Sequence, residues 1–135
     1  GLDLVQLSGG EDDSFVRQVH RPAIRVIHVR EQMTSYDVDD LCVPGVSAAL
    51  MLDKGSSTAL GGTGESFDWE VAAEVARHKP FLLAGGLTVE NVADAVSAVE
   101  PWGVDVSTGV ETDGVKDIEK IRAFIRAAKG VQVGR

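Results

Sequence analysis

Cysteine is nearly absent: the chain has one, Cys42. A disulfide framework and a cysteine-based zinc site within one copy are both excluded, and the usage fits a reducing compartment. Basic charge is scarce as well. Thirteen Lys and Arg stand against 21 Asp and Glu, a net charge of −8, and no Lys/Arg run is visible. Duplex nucleic acid and anionic membranes both require a basic face, so neither is an expected partner. No apolar run approaches the roughly 18 to 20 residues of a membrane span. The opening Gly1–Leu7 lacks the basic start and small-residue cleavage site of a signal peptide. Acidity, a single thiol and no export signal together suggest cytoplasm. There is also no initiator Met, and the chain opens inside what reads as a strand, so it is expected to begin partway through a longer polypeptide. What remains is ordinary globular composition, 44% hydrophobic and 25% charged over 135 residues, the size of one domain spanning residues 1–135.

Short apolar runs alternate with stretches of helical period. The runs are Leu2–Leu7, Ala23–Val29, Val46–Leu52, Phe81–Ala84 and Gly103–Val106. Between them, Phe15, Val16 and Val19 mark a weak amphipathic helix, and residues 34–41 form a polar, acidic, helical segment. Trp69, Ala72, Ala73 and Ala76 fall at i, i+3, i+4 and i+7 of a helix starting near Asp68. Thr88 can cap a helix whose Val89, Val92, Ala93 and Val96 share a face. A last helix carries Ile118, Ile121, Phe124 and Ile125 and stops near Gly130. The runs are near-continuously apolar rather than alternating, as expected of strands covered on both faces. Helical crossovers between such strands make a parallel sheet. The fold class is therefore α/β with five parallel βα units, either an open doubly wound sheet or a partial (β/α)8 TIM barrel, since five strands cannot close one.

In both architectures ligands bind beyond the carboxyl ends of the strands. Those places hold Ser8-Gly9-Gly10, the segment after Val29, Asp53, Gly85-Gly86 and Ser107-Thr108-Gly109. Glycine there lets backbone N–H groups approach a ligand, and a following helix start adds partial positive charge, so an acidic chain can hold a phosphate without a basic patch. The competing reading of the same glycines is tight turns only. Asp53 ends the most hydrophobic run. Apolar neighbours can raise a carboxyl's pKa and make it a general acid; a turn-capping aspartate is the plainer reading. The Gly61–Ser66 stretch lacks the Lys of a nucleotide-binding loop and reads as a lid or a long connection. His20, His28 and His78 show no metal-ligand spacing and read as structural or exposed. Phe67 and Trp69 read as helix packing, and Cys42 as a small apolar residue.

Four segments carry a resemblance to phosphoribosylanthranilate isomerase, a (β/α)8 enzyme of tryptophan biosynthesis. Leu2–Gly9 resembles that family's fourth strand. Leu52-Asp53 with Gly61–Trp69 is similar to its sixth strand and loop. Leu82–Val92 resembles its seventh strand and helix start, and Val104–Glu111 with Gly114–Asp117 its eighth. Order and spacing match across essentially the whole chain. The resemblance implies an Amadori rearrangement of N-(5-phosphoribosyl)anthranilate, with a small sugar phosphate as substrate and neither cofactor nor metal. It implies that Asp53 is the general acid, that Gly85, Gly86, Ser107, Thr108 and Gly109 bind the substrate phosphate, and that Asp105 faces the anthranilate part.

The departures are informative too. The family's general base is a strand-one cysteine within Lys-Ile-Cys-Gly, and its substrate-contacting arginine lies in an early βα loop; neither segment occurs here, and Cys42 falls elsewhere. Ser8 stands where the family has His, and Thr108 where it has Ser. The expectation is thus the C-terminal five-eighths of a barrel, holding acid and phosphate sites without the base and inactive alone. An open sheet exposes edges, so self-association is expected, or pairing with the missing N-terminal part or a fused indole-glycerol-phosphate synthase domain. The alternatives are a non-catalytic phosphate-binding half-barrel and another sugar-phosphate isomerase or epimerase.

Overall fold

A computed structural model of the chain describes residues 1–30, 32–41, 47–54 and 65–131, with the side chains of residues 39 and 65–68 left aside. Cys42 and the whole connection 55–64, with Gly61–Gly64, therefore lie outside the described residues, as do the side chains of Ser66 and Phe67. In chain order the elements are β1 (Val5–Leu7), α1 (Asp13–Gln18), β2 (Ala23–Val29), α2 (Ser35–Asp40), β3 (Ala49–Lys54), α3 (Glu65–Ala76), β4 (Leu82–Ala84), α4 (Val92–Val99) and β5 (Gly103–Val104). A short hairpin follows, β6 (Glu111–Thr112) and β7 (Val115–Lys116), and then α5 (Ile118–Gly130).

The sheet runs β1-β2-β3-β4-β5, every pair parallel and every neighbour consecutive in sequence. This order decides between the two expected architectures. Parallel crossovers are right-handed, so strands laid down in one direction place all their helices on one face. A doubly wound sheet reverses its strand order partway; this sheet does not. It is a run of five βα units with the sense of a barrel wall, and the barrel is not closed.

The two faces are chemically distinct, as the register requires. Ile27, Leu52 and Leu83 align on the helix side, joined there by Val29 and Leu50. They pack against Val38 of α2, Val71 and Val75 of α3, and Val92, Val96 and Val99 of α4. The opposite face carries Val26, Met51 and Ala84, with Ile24 and Leu82 beside them, as a second, smaller cluster. Single strands contribute to both clusters, which is why the runs read as near-continuous apolar sequence. Leu52 is only 1% exposed, and truncating such a residue to Ala costs about 2–5 kcal/mol.

Several boundaries differ from expectation. Leu2 and Leu4 stay exposed, and β1 begins only at Val5, whose amide donates to the carbonyl of Pro22. β5 is two residues long; past it, the Asp105 amide still donates to the Leu83 carbonyl at 2.8 Å. α4 starts at Val92, later than expected, with Asn91 at its N-cap position and making no side-chain cap bond. Thr88 still makes cap-like bonds one turn earlier, Oγ1 accepting from the Glu90 amide and its carbonyl from the Val92 amide. The Asn91 side chain accepts from the Thr88 amide and donates to the Gly86 carbonyl, closing residues 88–91 into a turn. On α5, Phe124 is buried but Ile118 and Ile125 are exposed. The hairpin is an addition. Asp113 and Gly114 both have positive φ, 52° and 77°, the backbone of a tight two-residue hairpin turn.

Candidate functional site

Parallel register aligns residues on adjacent strands, and at the carboxyl end of this sheet it aligns polar ones. His28 pairs with Asp53, and Asp53 with Ala84. One step past the Leu83–Val104 pair stand Ala84 and Asp105. The row His28, Asp53, Ala84, Asp105 therefore crosses four strands just above the apolar layer of Val26, Met51 and Leu82. Ala84, the small member, leaves room between two carboxylates.

Asp53 sits part-buried in that row, its side chain 32% exposed. Burial raises its pKa above the ordinary carboxylate range; His28 pulls the other way, and the negative charge of Asp105 adds to the rise. A carboxyl held protonated toward neutral pH can deliver a proton. The His28 Nδ1 lies 3.8 Å from Asp53 Oδ2, an ion-pair separation rather than a hydrogen bond. Its Nε2 lies 3.0 Å from the Ser8 carbonyl oxygen. The histidine thus spans from the end of β1 to the end of β3.

The turn after β4 is built against this carboxyl. Gly85 has φ +86°, and a Cβ there would overlap Asp53 Oδ1 and the Lys54 amide nitrogen and stand 2.7 Å from Lys54 Cβ. Gly86 follows with φ +70° and open space where its Cβ would be. The turn after β5 lies alongside. Gly109 approaches the Leu87 carbonyl so closely that a Cβ would collide with it and come within 3.0 Å of Thr88 Cα. Thr108–Val110 form one 3₁₀ turn, and Ser107 and Thr108 are exposed. From β7, Lys116 Nζ donates to the Ser107 carbonyl at 2.9 Å, to Ser107 Oγ at 3.2 Å and to Glu111 Oε1 at 2.6 Å. Two glycine turns, an exposed hydroxyl pair and one ammonium group therefore share the end of the sheet next to Asp53.

The structure thus brings together Asp53, Gly85, Gly86, Asp105, Ser107, Thr108 and Gly109, the residues singled out from sequence. Two contributors were missed. His28 had read as a scattered histidine, and only the pairing of β2 with β3 shows what it faces. Lys116 had entered only as part of a matched segment; the Asp113-Gly114 turn that folds it back was legible as a hairpin signal. His20 and His78 are exposed and distant in the fold from this row, and Trp69 packs on the core. Among the described residues no cluster of three or more potential metal ligands occurs, and no helix is long and apolar enough to cross a membrane.

Comparisons with known proteins point to one family. The family model for N-(5'-phosphoribosyl)anthranilate (PRA) isomerase matches residues 1–127. The N-(5'-phosphoribosyl)anthranilate isomerase of Dehalococcoides mccartyi is 41% identical over 139 residues, covering 99% of this chain and 64% of the relative. That of Pelobacter propionicus is 47% identical, covering 96% of this chain and 60% of the relative. The solved phosphoribosyl anthranilate isomerase from Thermococcus kodakaraensis superposes with a TM-score of 0.81 at 30% identity, over 94% of this chain and 63% of the other. The chain spans about three-fifths of the length of the curated relatives it matches.

Proposed function

Because the chain belongs to the N-(5'-phosphoribosyl)anthranilate isomerase family, we propose that it supplies the acid and phosphate-binding parts of an isomerase site acting on N-(5-phosphoribosyl)anthranilate. The observation that carries this reading is the part-buried Asp53 carboxyl seated directly against the Gly85-Gly86 turn. A phosphate held at the two glycine turns leaves the ribose ring of the same substrate within reach of Asp53.

The chemistry is an Amadori rearrangement. Asp53 gives its proton to the furanose ring oxygen as the C1–O bond breaks, and the nitrogen lone pair closes an iminium at C1. A base then removes the C2 proton, and the electron pair flows back to give an enolamine. Tautomerisation yields 1-(2-carboxyphenylamino)-1-deoxyribulose 5-phosphate. Phosphate is held by the backbone of Gly85, Gly86 and Gly109 with the hydroxyls of Ser107 and Thr108, and Lys116 adds positive charge through the turn it braces. Asp105 faces the anthranilate part. Its charge also disfavours ionisation of Asp53, which suits an acid. The base comes from outside these 135 residues, from another part of the same polypeptide, an associated chain or a fused partner. The five units act as one domain, and by themselves they bind without turning over. No cofactor is needed for proton transfers between positioned groups.

The test joins this chain to the first three βα units of a relative and follows loss of phosphoribosylanthranilate fluorescence. The joined protein is expected to turn over and the 135-residue chain alone to show none. Asp53→Asn in the joined protein should abolish turnover while leaving ribose 5-phosphate binding intact by calorimetry. An Asn variant at near-full rate would remove Asp53 from the acid role.

A further inference from the structure

His28 has no part in the scheme above, yet each ring nitrogen faces a named group: Nε2 the Ser8 carbonyl at hydrogen-bond distance, and Nδ1 the Asp53 carboxyl at ion-pair distance. A carbonyl oxygen only accepts hydrogen bonds, so the nitrogen 3.0 Å from the Ser8 oxygen, Nε2, carries a proton. In the neutral ring Nδ1 is then bare, and Nδ1 is the atom turned to Asp53. The pair has two matched states, a protonated carboxyl facing a bare Nδ1, or a carboxylate facing an Nδ1–H. They differ by the position of one proton.

We propose that His28 is the positioning residue of Asp53: pinned at Nε2 by the Ser8 carbonyl, it turns Nδ1 to the carboxyl and keeps one proton between the two groups. The proposal rests on the reading of Asp53 as acid. When the Asp53 O–H bond breaks toward a sugar oxygen, the carboxylate left behind faces a bare Nδ1, which takes one proton from solvent to give the carboxylate–imidazolium state. That proton passes from Nδ1 to the carboxylate, the O–H bond is remade, and His28 returns to neutral with its Nε2–H bond intact. Solvent resupplies Nδ1, because the imidazole is 41% exposed and lines a cleft of about 790 Å³.

The surroundings allow both states. After β1, Glu11 is engaged by the Gly9 amide and Asp12 caps α1. On β2, Arg25 is paired with Asp13, and Arg30 lies at the strand end. Asp37 of α2 is taken by Thr34, and Asp40 lines the same cleft. Across the sheet Asp105 faces Asp53 from the far side. The charged group that the structure sets at ion-pair distance from the His28 ring is Asp53.

The experiment is a nitrogen-15 and carbon-13 NMR titration of the 135-residue chain, its His28→Gln variant and its Asp53→Asn variant. In the unsubstituted chain the neutral His28 ring is expected as the Nε2–H tautomer, a measurement that needs no substitution; a dominant Nδ1–H tautomer overturns the proposal. His28→Gln is expected to move the Asp53 carboxyl midpoint upward, and Asp53→Asn identifies the Asp53 resonance by its loss; an Asp53 midpoint unmoved by His28→Gln in a folded variant also overturns the proposal. The unsubstituted Asp53 curve separates the two levels. A midpoint in the ordinary carboxylate range defeats the acid reading itself, whereas a raised midpoint with no response to His28→Gln defeats only the role of His28.

Discussion

Gly85 and Gly86 are neighbours with the same backbone handedness, so substituting each by Ala separates strain from contact. Both have φ in the left-handed region, +86° and +70°. A side chain in that conformation costs roughly 1–2 kcal/mol. For Gly86→Ala that is nearly the whole effect, because nothing lies within 4 Å of the new methyl. For Gly85→Ala the methyl would overlap the Lys54 amide nitrogen and Asp53 Oδ1 and stand 2.7 Å from Lys54 Cβ. Two of those atoms belong to the backbone and Cβ of a central strand and cannot swing aside, so β4 must move off β3. Overpacking of this kind costs about 1–3 kcal/mol more. The expected losses are thus about 1–2 kcal/mol for Gly86→Ala and about 2–5 kcal/mol for Gly85→Ala, read from urea unfolding at constant m-value. Gly85→Ala should also move the Asp53 carboxyl resonance, and Gly86→Ala should not. Equal losses from the two variants would refute the packing of this turn against Asp53.

Asp53 also carries a pH signature. Its carboxyl is raised by burial, so between the unfolded and folded midpoints the folded chain keeps a proton the unfolded chain has released. That stabilisation is present at low pH and lost as pH climbs through the folded value. Asp53→Asn removes the loss, so the stability of the variant minus that of the parent should rise with pH across that window; parallel curves would contradict it. The difference cancels the opposite slope of Asp12, Asp37 and Asp117, whose carboxyls are lowered by side-chain hydrogen bonds from Ser14, Thr34 and Thr112 respectively. Asp117 caps α5, accepting from the Glu119 and Lys120 amides, so Asp117→Ala should cost about 1 kcal/mol in thermal unfolding. Lys116→Met removes an exposed ammonium worth under about 1 kcal/mol of stability. It should nonetheless speed amide exchange at residues 107–109 and weaken ribose 5-phosphate binding, since the Ser107 turn loses its brace; unchanged affinity would separate that brace from the phosphate site.

The parts of this fold legible in sequence are those where one residue's neighbours follow from its own strand or helix. Ala23–Val29 read as a strand to the residue because both of its faces are covered, and apart from Arg25 and His28 the run is apolar. Val92 and Val96 were found because a helical face repeats within eight residues. The same rule overreached on α5, where Ile118 and Ile125 fit the period but the sheet ends before it can cover them. It also set the start of α4 too early, because residues 88–91 close into a turn before the helix begins. Asn91, three residues past Thr88, reaches back to both Thr88 and Gly86.

The site divides along the same line. Asp53 and the glycine turns were visible because the ends of parallel strands are where ligands sit, whatever the register. His28 was not, because its meaning lies in pairing. A slip of one residue between β2 and β3 would turn it to the helix side beside Leu52 and put Ile27 or Val29 against Asp53. Nothing in the local sequence of β2 sets that register. It is set by the burial of Ile27 and Val29 with Leu52 on one face and of Val26 with Met51 on the other. The apolar contacts that hold the sheet therefore also choose the partner of the acid. A core substitution that loosened the β2–β3 register should disturb the Asp53 titration without touching either polar residue.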